Sequence, residues 1–382
     1  METQAKQKIP KGWKETTFNE IAEINPSESL RKGGSAKYIA MENLNSFSRK
    51  VSRFENKEFN GGMKFRNGDT LLARITPCLE NGKTALVDVL ENNEVGFGST
   101  EYIVIREKEG LSESKFLYYF SISPNFRKVA IKLMTGTSGR QRVETNSLMN
   151  KKFLTPSLPE QKAIAAILSS LDDKIELLRE QNKMLEATAQ AIFKEWFFVM
   201  RDKLPKGWKI GKLGDLADIT TGKGLDKSAL KSNGLYQVLG ANGEIGKTDE
   251  FLFDDDLILA GRVGTLGKIY LSKGKVWISD NVLISKPRIK ESYYFVYFQL
   301  KRINFESLNR GSTQPLVTQT DLKNFEVILP EPKVLEKWYI ITSSQFEKIF
   351  NNNFQIQTLS KLRDTLLPKL MRGEVRVAGF TN

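Results

Sequence analysis

The clearest pattern of apolar and polar positions in this chain lies between residues 158 and 200. Apolar residues recur there at alternating spacings of three and four over more than four heptads, with no glycine or proline between Gln161 and Arg201. This spacing predicts one long helix with a coiled-coil seam. The predicted seam consists of Ile164, Leu168, Leu171, Ile175, Leu178, Asn182, Leu185, Ala189, Ile192 and Trp196. About 40 residues at about 1.5 Å each give a helix of about 60 Å, which is longer than a small domain is wide.

A second, less regular seam predicts another long helix at 332–372. Its first positions are Phe346, Ile349, Asn353 and Ile356. Pro368 lacks the backbone donor that a helix interior needs, so we expect a kink or an end near Leu367. Two such helices in one chain can pack as an antiparallel coiled coil, and a core amide such as Asn182 fixes the register of the pair at some cost in stability.

The two segments that precede these helices resemble each other. The matching pairs are Pro10–Lys14 with Pro205–Lys209, Asp69–Ala73 with Asp256–Ala260, and Phe116–Phe120 with Phe295–Gln299. Each repeat unit is far longer than the roughly 20 to 50 residues of a solenoid repeat, which favours two tandem modules. Short β-type runs among Gly-rich turns predict mixed α/β domains. The predicted fold class is therefore α+β, with two pseudo-repeated mixed α/β domains joined by two long helices that form an antiparallel coiled coil.

These patterns divide the chain into five segments. In chain order they are a first globular domain at 1–157, a first long helix at 158–200, a second globular domain at 201–331, a second long helix at 332–372 and a tail at 373–382. We call the globular domains the first head and the second head. Two similar but unequal heads are suited to two similar but unequal binding sites.

The net charge of the chain is strongly basic. Lys and Arg number 58 against 45 Asp and Glu, which gives +13, and most of the excess lies on the two heads. A basic excess on a domain indicates a polyanionic partner such as nucleic acid. The alternative is a lysine-rich composition that carries no functional meaning.

The residue types present argue against a catalytic role. The chain has no histidine and one cysteine, which removes the commonest acid–base side chain and metal ligand and excludes an internal disulfide. The lone Gly-x-Gly at Gly96–Gly98 is typical of a turn, and the sequence contains no amino-methyltransferase motif. No apolar run approaches 18 residues and the first residues are polar, so we expect a cytoplasmic protein without a membrane span.

The segment Leu158–Ile175 closely resembles the start of the first helical spacer in specificity (S) subunits of type I restriction–modification systems. Leu335–Ile340 is similar to a degraded second copy, with Lys337 in place of Gln161. The Pro-Lys-Gly-Trp openings and the strand at Asp69–Ala73 look like the target-recognition domains of that family. The resemblance covers almost the whole chain.

The resemblance implies a non-catalytic subunit whose two heads each read one half of a split DNA sequence. In that family the helices act as a ruler that sets the gap between the half-sites, and two methyltransferase (M) subunits dock on the S subunit. The M subunits methylate adenine with S-adenosylmethionine, so no cofactor is expected on this chain, and restriction (R) subunits can join the complex. Because the two heads differ in sequence, the half-sites should differ and the target should not be a palindrome.

Two loops in matching positions before the last strand of each head carry side chains that suit DNA contact. These are Arg140, Gln141 and Arg142 in the first head and Arg310, Thr313 and Gln314 in the second. Hydroxyl and backbone groups in such loops can hold phosphate, while Arg pairs with guanine and Gln with adenine. The alternative is a pair of surface turns with solvated charges.

Six further cations are candidates for phosphate contact. They are Arg74 and Arg262 after matching strands, Lys83 and Lys268 in matching Gly-Lys turns, and Lys223 and Lys227 in a Gly-rich loop. Structural ion pairs are the alternative for the first four. We expect Asp172–Lys174 on the solvated face or a docking edge of the first helix. The rival to DNA recognition is a non-DNA adaptor, in which the coiled coil is a scaffold and the heads bind proteins.

Overall fold

The computed structural model describes residues 9–137, 139–311 and 315–380. The chain forms two compact units. The first unit consists of Met1–Leu178 and Phe354–Asn382, and the second consists of Arg179–Asn353. Each unit therefore contains one head together with part of each long helix. The boundaries between the units fall inside the two long helices, which the five predicted segments keep whole.

The first head is built from short strands. They are β1 Lys14–Thr17, β2 Ala22–Ile24, β3 Ser35–Ile39, β4 Glu55–Glu58, β5 Met63–Phe65, β6 Thr70–Ala73, β7 Thr84–Leu86, β8 Gly96–Gly98, β9 Tyr102–Glu107, β10 Met134–Thr135, β11 Arg142–Val143 and β12 Lys152–Thr155. The helices of this head are α1 Phe18–Ile21, α2 Ser114–Ile122, α3 Pro124–Lys132 and α4 Thr145–Met149, with a 3-10 turn at Met41–Asn43.

Two four-stranded sheets dominate the first head, in the orders β2-β9-β6-β7 and β4-β3-β8-β5. All four residues of β6 are buried, as expected for an apolar central strand covered on both faces. Helix α2 packs on β6, β7 and β9, and every residue from Phe116 to Ile122 is buried. The Phe18, Phe120, Phe126 and Phe153 rings contact one another beside α2. This aromatic cluster belongs to the core on which the long helices rest.

The second head repeats this construction. Its strands are β13 Lys209–Lys212, β14 Ala217–Thr221, β15 Tyr236–Gly240, β16 Gly243–Thr248, β17 Phe253–Asp254, β18 Leu257–Gly261, β19 Ile269–Ser272, β20 Lys275–Ile278, β21 Val282–Pro287 and β22 Glu326–Leu329. Between α5 and α9, the two long helices described below, its helices are α6 Leu213–Leu216, α7 Tyr293–Arg302 and α8 Gln319–Lys323, with 3-10 turns at Arg201–Lys203, Lys227–Ala229, Lys290–Ser292 and Phe305–Leu308.

The three sheets described in the second head each match a sheet of the first head, whereas the β10–β11 pair of the first head has no counterpart among the described residues of the second. The sheets β14-β21-β18-β19 and β16-β15-β20-β17 correspond to the two four-stranded sheets above, and the β13–β22 pair corresponds to β1–β12. The sheets β4-β3-β8-β5 and β16-β15-β20-β17 each contain one parallel pair, β3 with β8 and β15 with β20. The internal repeat read from the sequence is therefore a repeat of topology.

The two long helices are α5 Leu158–Phe197 and α9 Pro332–Met371. We expected a kink or an end of the helix near Leu367, and the end was wrong, because α9 runs past Pro368 to Met371. One missing backbone donor leaves a single carbonyl without its helical partner. Burial of Leu367, Leu370 and Met371 against the first head's core offsets that loss.

Within each unit the helix segments run antiparallel. In the first unit Arg363 Nη1 donates to Asp172 Oδ1 at 2.7 Å, and the later α9 residue Leu370 shares a core cluster with the earlier α5 residue Ile164. In the second unit Asn182 Nδ2 donates to Asn353 Oδ1 at 2.9 Å. Further along α5, Trp196 packs on Trp338, with ring centroids 6.3 Å apart. These contacts confirm the predicted fold class. In the described part of the chain, no helix is both long and apolar enough to cross a membrane.

Candidate nucleic-acid interface

In the first head, the Glu101 carboxylate contacts two of the candidate arginines, Arg74 and Arg142. Arg142 donates Nε and Nη2 hydrogen bonds to Glu101 at 2.7–3.0 Å, and Arg74 Nε lies 3.4 Å from the same carboxylate. Hydrogen bonds from Arg142, and then its charge and that of Arg74, hold the pKa of Glu101 below its usual range. In the unbound molecule the single charge of Glu101 therefore offsets one of the two positive charges of this pair.

The other candidates of the first head are placed differently. Arg140 is exposed, and its side chain has no partner among the described residues. Gln141 is half-buried, and its carbonyl accepts a bond from the Thr76 backbone at 3.0 Å, which ties Gln141 to the loop after β6. Lys83 donates to the Met41 carbonyl at 2.9 Å. Arg140 thus offers a cation that no ion pair holds, whereas Lys83 is tethered.

In the second head, the backbones of Arg262 and Arg310 both hydrogen-bond to the same short segment, residues 316–317. The Arg262 carbonyl accepts from Val317 N at 3.1 Å, and Arg310 N donates to the Leu316 carbonyl at 2.9 Å. The Arg310 side chain forms an ion pair with Asp321. Lys268 is exposed, and its Nζ donates to the Asn242 carbonyl at 2.6 Å.

Four candidates of the second head remain. Two of them, Thr313 and Gln314, lie outside the described residues. Lys223 and Lys227 are exposed on the loop after β14. The Trp277 indole donates to the Lys223 carbonyl at 2.9 Å, which fixes that loop on strand β20.

The predicted seam residues of α5 are buried to different extents. Ile164, Leu168, Ile175, Leu178 and Ala189 are buried, whereas Leu171, Asn182, Leu185, Ile192 and Trp196 are half-buried. Towards the end of α5 the deepest positions are Phe193 and Phe197, each 1% exposed. A straight helix drifts by about 20° per heptad from a 3.5-residue repeat, and the second head's aromatic core lies on that drifted face.

The seam of α9 carries a cluster of amides. Phe346 is buried, Ile349 and Ile356 are half-buried, and Asn353 is exposed although it bonds Asn182. The fully buried amide is Asn352, whose Nδ2 donates to Asn182 and to Gln181 at 2.8 Å. The 3-4 spacing in the sequence places Asn353 in the seam and leaves out Asn352, which is the buried amide.

Sequence reasoning also missed a buried polar cluster between the first head and the helices of its unit. Asp172 is 3% exposed, which corrects its expected place on a solvated surface. It accepts hydrogen bonds from Tyr119 Oη and Arg363 Nη1, both at 2.7 Å. Burial, together with the Asp172 charge, raises the pKa of Tyr119, so this hydroxyl stays a donor. The partner Arg363 lies 191 residues further along the chain, and no local pattern points to it.

A neighbouring arginine anchors the same surface. Arg49 is 7% exposed and donates Nη2 hydrogen bonds to Asp173 at 2.5 Å and to Glu176 at 2.8 Å on α5. Asp173 itself is 58% exposed, in keeping with its expected place on the helix surface. The 44–51 loop of the first head is thereby fixed to the long helix.

The heads and their helices match a known family. The sequence matches the family described as the type I restriction modification DNA specificity domain at residues 10–187 and again at 205–355. The chain belongs to this family. The two matched ranges follow the internal repeat, because each contains one head with part of a long helix.

One relative within the family matches the chain almost end to end, and another matches about half of it. The MjaIX specificity subunit of a type I restriction enzyme from Methanocaldococcus jannaschii is 28% identical, over 97% of this chain and 95% of the relative. The EcoAI specificity subunit from Escherichia coli is 34% identical, over 46% of this chain and 30% of the relative. The crystal structure of a type I S subunit from M. genitalium superposes with a TM-score of 0.62 at 18% identity, over 97% of this chain and 98% of that one. This last likeness establishes the fold.

Proposed function

We propose that this chain is the DNA-recognition subunit of a type I restriction–modification complex, and that each head reads one half of a split target. One observation carries the proposal: the heads repeat one topology, with matching loops that bear different side chains. Arg140 and Gln141 of the first head correspond in position to the loop around Arg310 in the second. Equal scaffolds with unequal loops suit two half-sites of different sequence.

Partners supply the chemistry in this proposal. M subunits dock on the chain and methylate adenine with S-adenosylmethionine, and R subunits join when the complex restricts DNA. This chain contributes recognition and spacing. Family membership and the names of the relatives support that assignment. The basic charge of +13 supports a DNA partner.

Helices α5 and α9 set the distance between the half-sites in this proposal. The amide cluster of the second unit supports a fixed register, because a buried amide is satisfied only when its partner amide is opposite. The Asp172–Arg363 pair has the same effect in the first unit. A fixed register is what a ruler requires.

The test is the salt dependence of binding by the full chain together with its partner methyltransferase. Duplex DNA with the target should bind more weakly as salt rises, with the logarithm of the association constant falling by about 0.9 per phosphate contacted for each unit of log salt. A duplex of shuffled sequence is the control and should bind less tightly at each salt concentration. Salt-independent binding, or equal affinity for both duplexes, would favour the protein adaptor.

A further inference from the structure

Phe47 of the first head is an exposed aromatic residue in a strained conformation. Its φ is 55°, in the left-handed region that bulky residues rarely adopt, and the residue is 52% exposed. Both features cost free energy, since left-handed backbone is unfavourable for a residue with a Cβ and an exposed ring keeps apolar surface in water. Strain of this kind is concentrated at functional sites.

The loop that carries Phe47 is held from both sides. Ser46 forms a β-bridge with Lys83, and Phe47 N donates to the Gly82 carbonyl at 3.0 Å. Two residues later, the Arg49 side chain is hydrogen-bonded to α5. The position of Phe47 is therefore set by the folded head before any ligand arrives.

The Phe47 ring packs directly against the backbone of Gly82. A Cβ at position 82 would approach the ring to 2.7 Å, so this packing requires a glycine there. The Arg127 guanidinium lies 4.8 Å from the ring centroid, and its Nη2 donates to the carbonyls of Leu79 and Glu80 at 2.9 and 3.0 Å. The ring rests against this arginine, and half of its residue's surface remains open.

The second head places a ring at the equivalent site and covers it. Gly267 precedes β19 as Gly82 precedes β7, and a Cβ there would approach the Phe305 ring to 2.9 Å. Phe305 is only 5% exposed. The same topology can therefore bury an aromatic ring over this glycine, so the exposure of Phe47 is not a requirement of the fold.

We propose that Phe47 makes an apolar contact with a base of the half-site that the first head reads. This inference rests on the proposed function of the heads. Aromatic and other apolar side chains read the thymine methyl group or wedge against a base step in protein–DNA complexes. The Arg127 guanidinium against the ring is buried, and the half-buried Lys83 is bridged through its backbone to Ser46. These two cations outnumber the acidic Glu80 of the same turn, so the surroundings of the ring carry a net positive charge that suits DNA.

The experiment compares three variants of the full chain, each assembled with the partner methyltransferase. Phe47→Ala removes the ring, Phe47→Tyr keeps it, and Phe54→Ala removes another exposed ring of the first head, which contacts Lys37. Binding is measured on the target duplex and on duplexes altered in one half-site at a time. Thermal unfolding of each variant is recorded beside it.

Phe47→Ala should weaken binding of the target about tenfold, which is the scale of one lost aromatic contact with a base. The slope against salt should stay unchanged because no charge is removed. The affinity difference between correct and altered duplexes should shrink for one half-site and stay the same for the other. Phe47→Tyr should restore binding, and Phe54→Ala should match the parent.

Several results would overturn the inference. They are a Phe47→Ala protein that binds as the parent does, equal losses in Phe54→Ala, no rescue by Tyr, and a loss of affinity that only follows a lower unfolding temperature. If the parent complex does not distinguish the target from either altered duplex, the proposed function itself fails, and the inference fails with it.

Discussion

Arg140 and Arg142 lie two residues apart in one loop of the first head, yet they have different surroundings. Arg142 is held by Glu101 through paired hydrogen bonds, whereas Arg140 is exposed with no side-chain partner in the described part of the molecule. From their positions in the sequence alone, we expected DNA contact equally for both residues. Glu101 is 41 residues away from Arg142, so only the fold could separate them.

We predict that Arg140→Ala weakens DNA binding at every sequence and reduces the slope of log affinity against log salt by about 1. The reason is the loss of a cation that no acidic partner neutralises in the free protein. Arg142→Ala is the matched control, and its slope should equal that of the parent. The measurement is a salt titration of duplex binding by the full complex. The opposite order of slopes would show that Glu101 releases Arg142 to the DNA.

Glu101 also makes the stability of the first head depend on pH. Its pKa in the folded protein lies below the ordinary value of 4.5 because Arg142 and Arg74 favour the carboxylate. A depressed folded pKa contributes stability that is complete above the unfolded pKa and disappears as pH falls through the folded value. Glu101→Gln should therefore lower the unfolding free energy at pH 7 by about 1 kcal/mol. The difference from the parent should shrink below about pH 4.5.

Hydrogen exchange of first-unit amides, measured against denaturant at several pH values, checks this prediction. A Glu101→Gln difference that stays constant from neutral to acid pH would contradict it. So would a difference that grows as the pH falls.

At the scale of elements, α5 shows where sequence reasoning succeeds and where it stops. The heptad pattern is a local property, and it placed a helix at 158–200 where the structure has Leu158–Phe197. The burial of Asp172 depends on Tyr119 and on Arg363, which are distant in sequence. A helix face that looks solvated in isolation becomes an interior surface when a head packs on it.

The Asp172 cluster gives a stability prediction for the first unit. Asp172→Ala should lower its unfolding free energy by about 3 kcal/mol, because the mutation leaves the half-buried Arg363 with one fewer acceptor and the buried Tyr119 hydroxyl without its partner. Asp173→Ala is the matched control. Asp173 is 58% exposed, and Arg49 keeps Glu176 when Asp173 is removed, so the cost should stay below about 1 kcal/mol. Denaturant-dependent hydrogen exchange of first-unit amides measures both, and equal costs would refute the cluster's role.

At the scale of the molecule, the internal repeat was the most readable feature of the chain. Short matching motifs 179 to 195 residues apart in the sequence correspond to two heads whose main sheets have the same strand orders. The side chains proposed to contact bases are harder to predict from the sequence, since their positions depend on loop conformation. For Phe47, neither the left-handed backbone nor the packing of its ring on Gly82 has a sequence pattern of its own.

The ruler proposal makes a prediction about gap length. Deleting one heptad from each long helix keeps the seam in phase, so the complex should assemble and methylate a target with a shorter gap and unchanged half-sites. Deleting four residues from each helix breaks the phase and should abolish assembly. Methylated motifs identified in DNA from cells carrying each variant provide the measurement. A seven-residue deletion with the parental gap would rule out the ruler.

The most direct test of the central claim is a map of adenine methylation in a host that carries this gene with its partner methyltransferase, beside a strain that lacks only this gene. We expect a split, non-palindromic motif with two different half-sites, present in the first strain and absent from the second. Identical methylation in the two strains would contradict the claim that this chain supplies the sequence specificity of the complex.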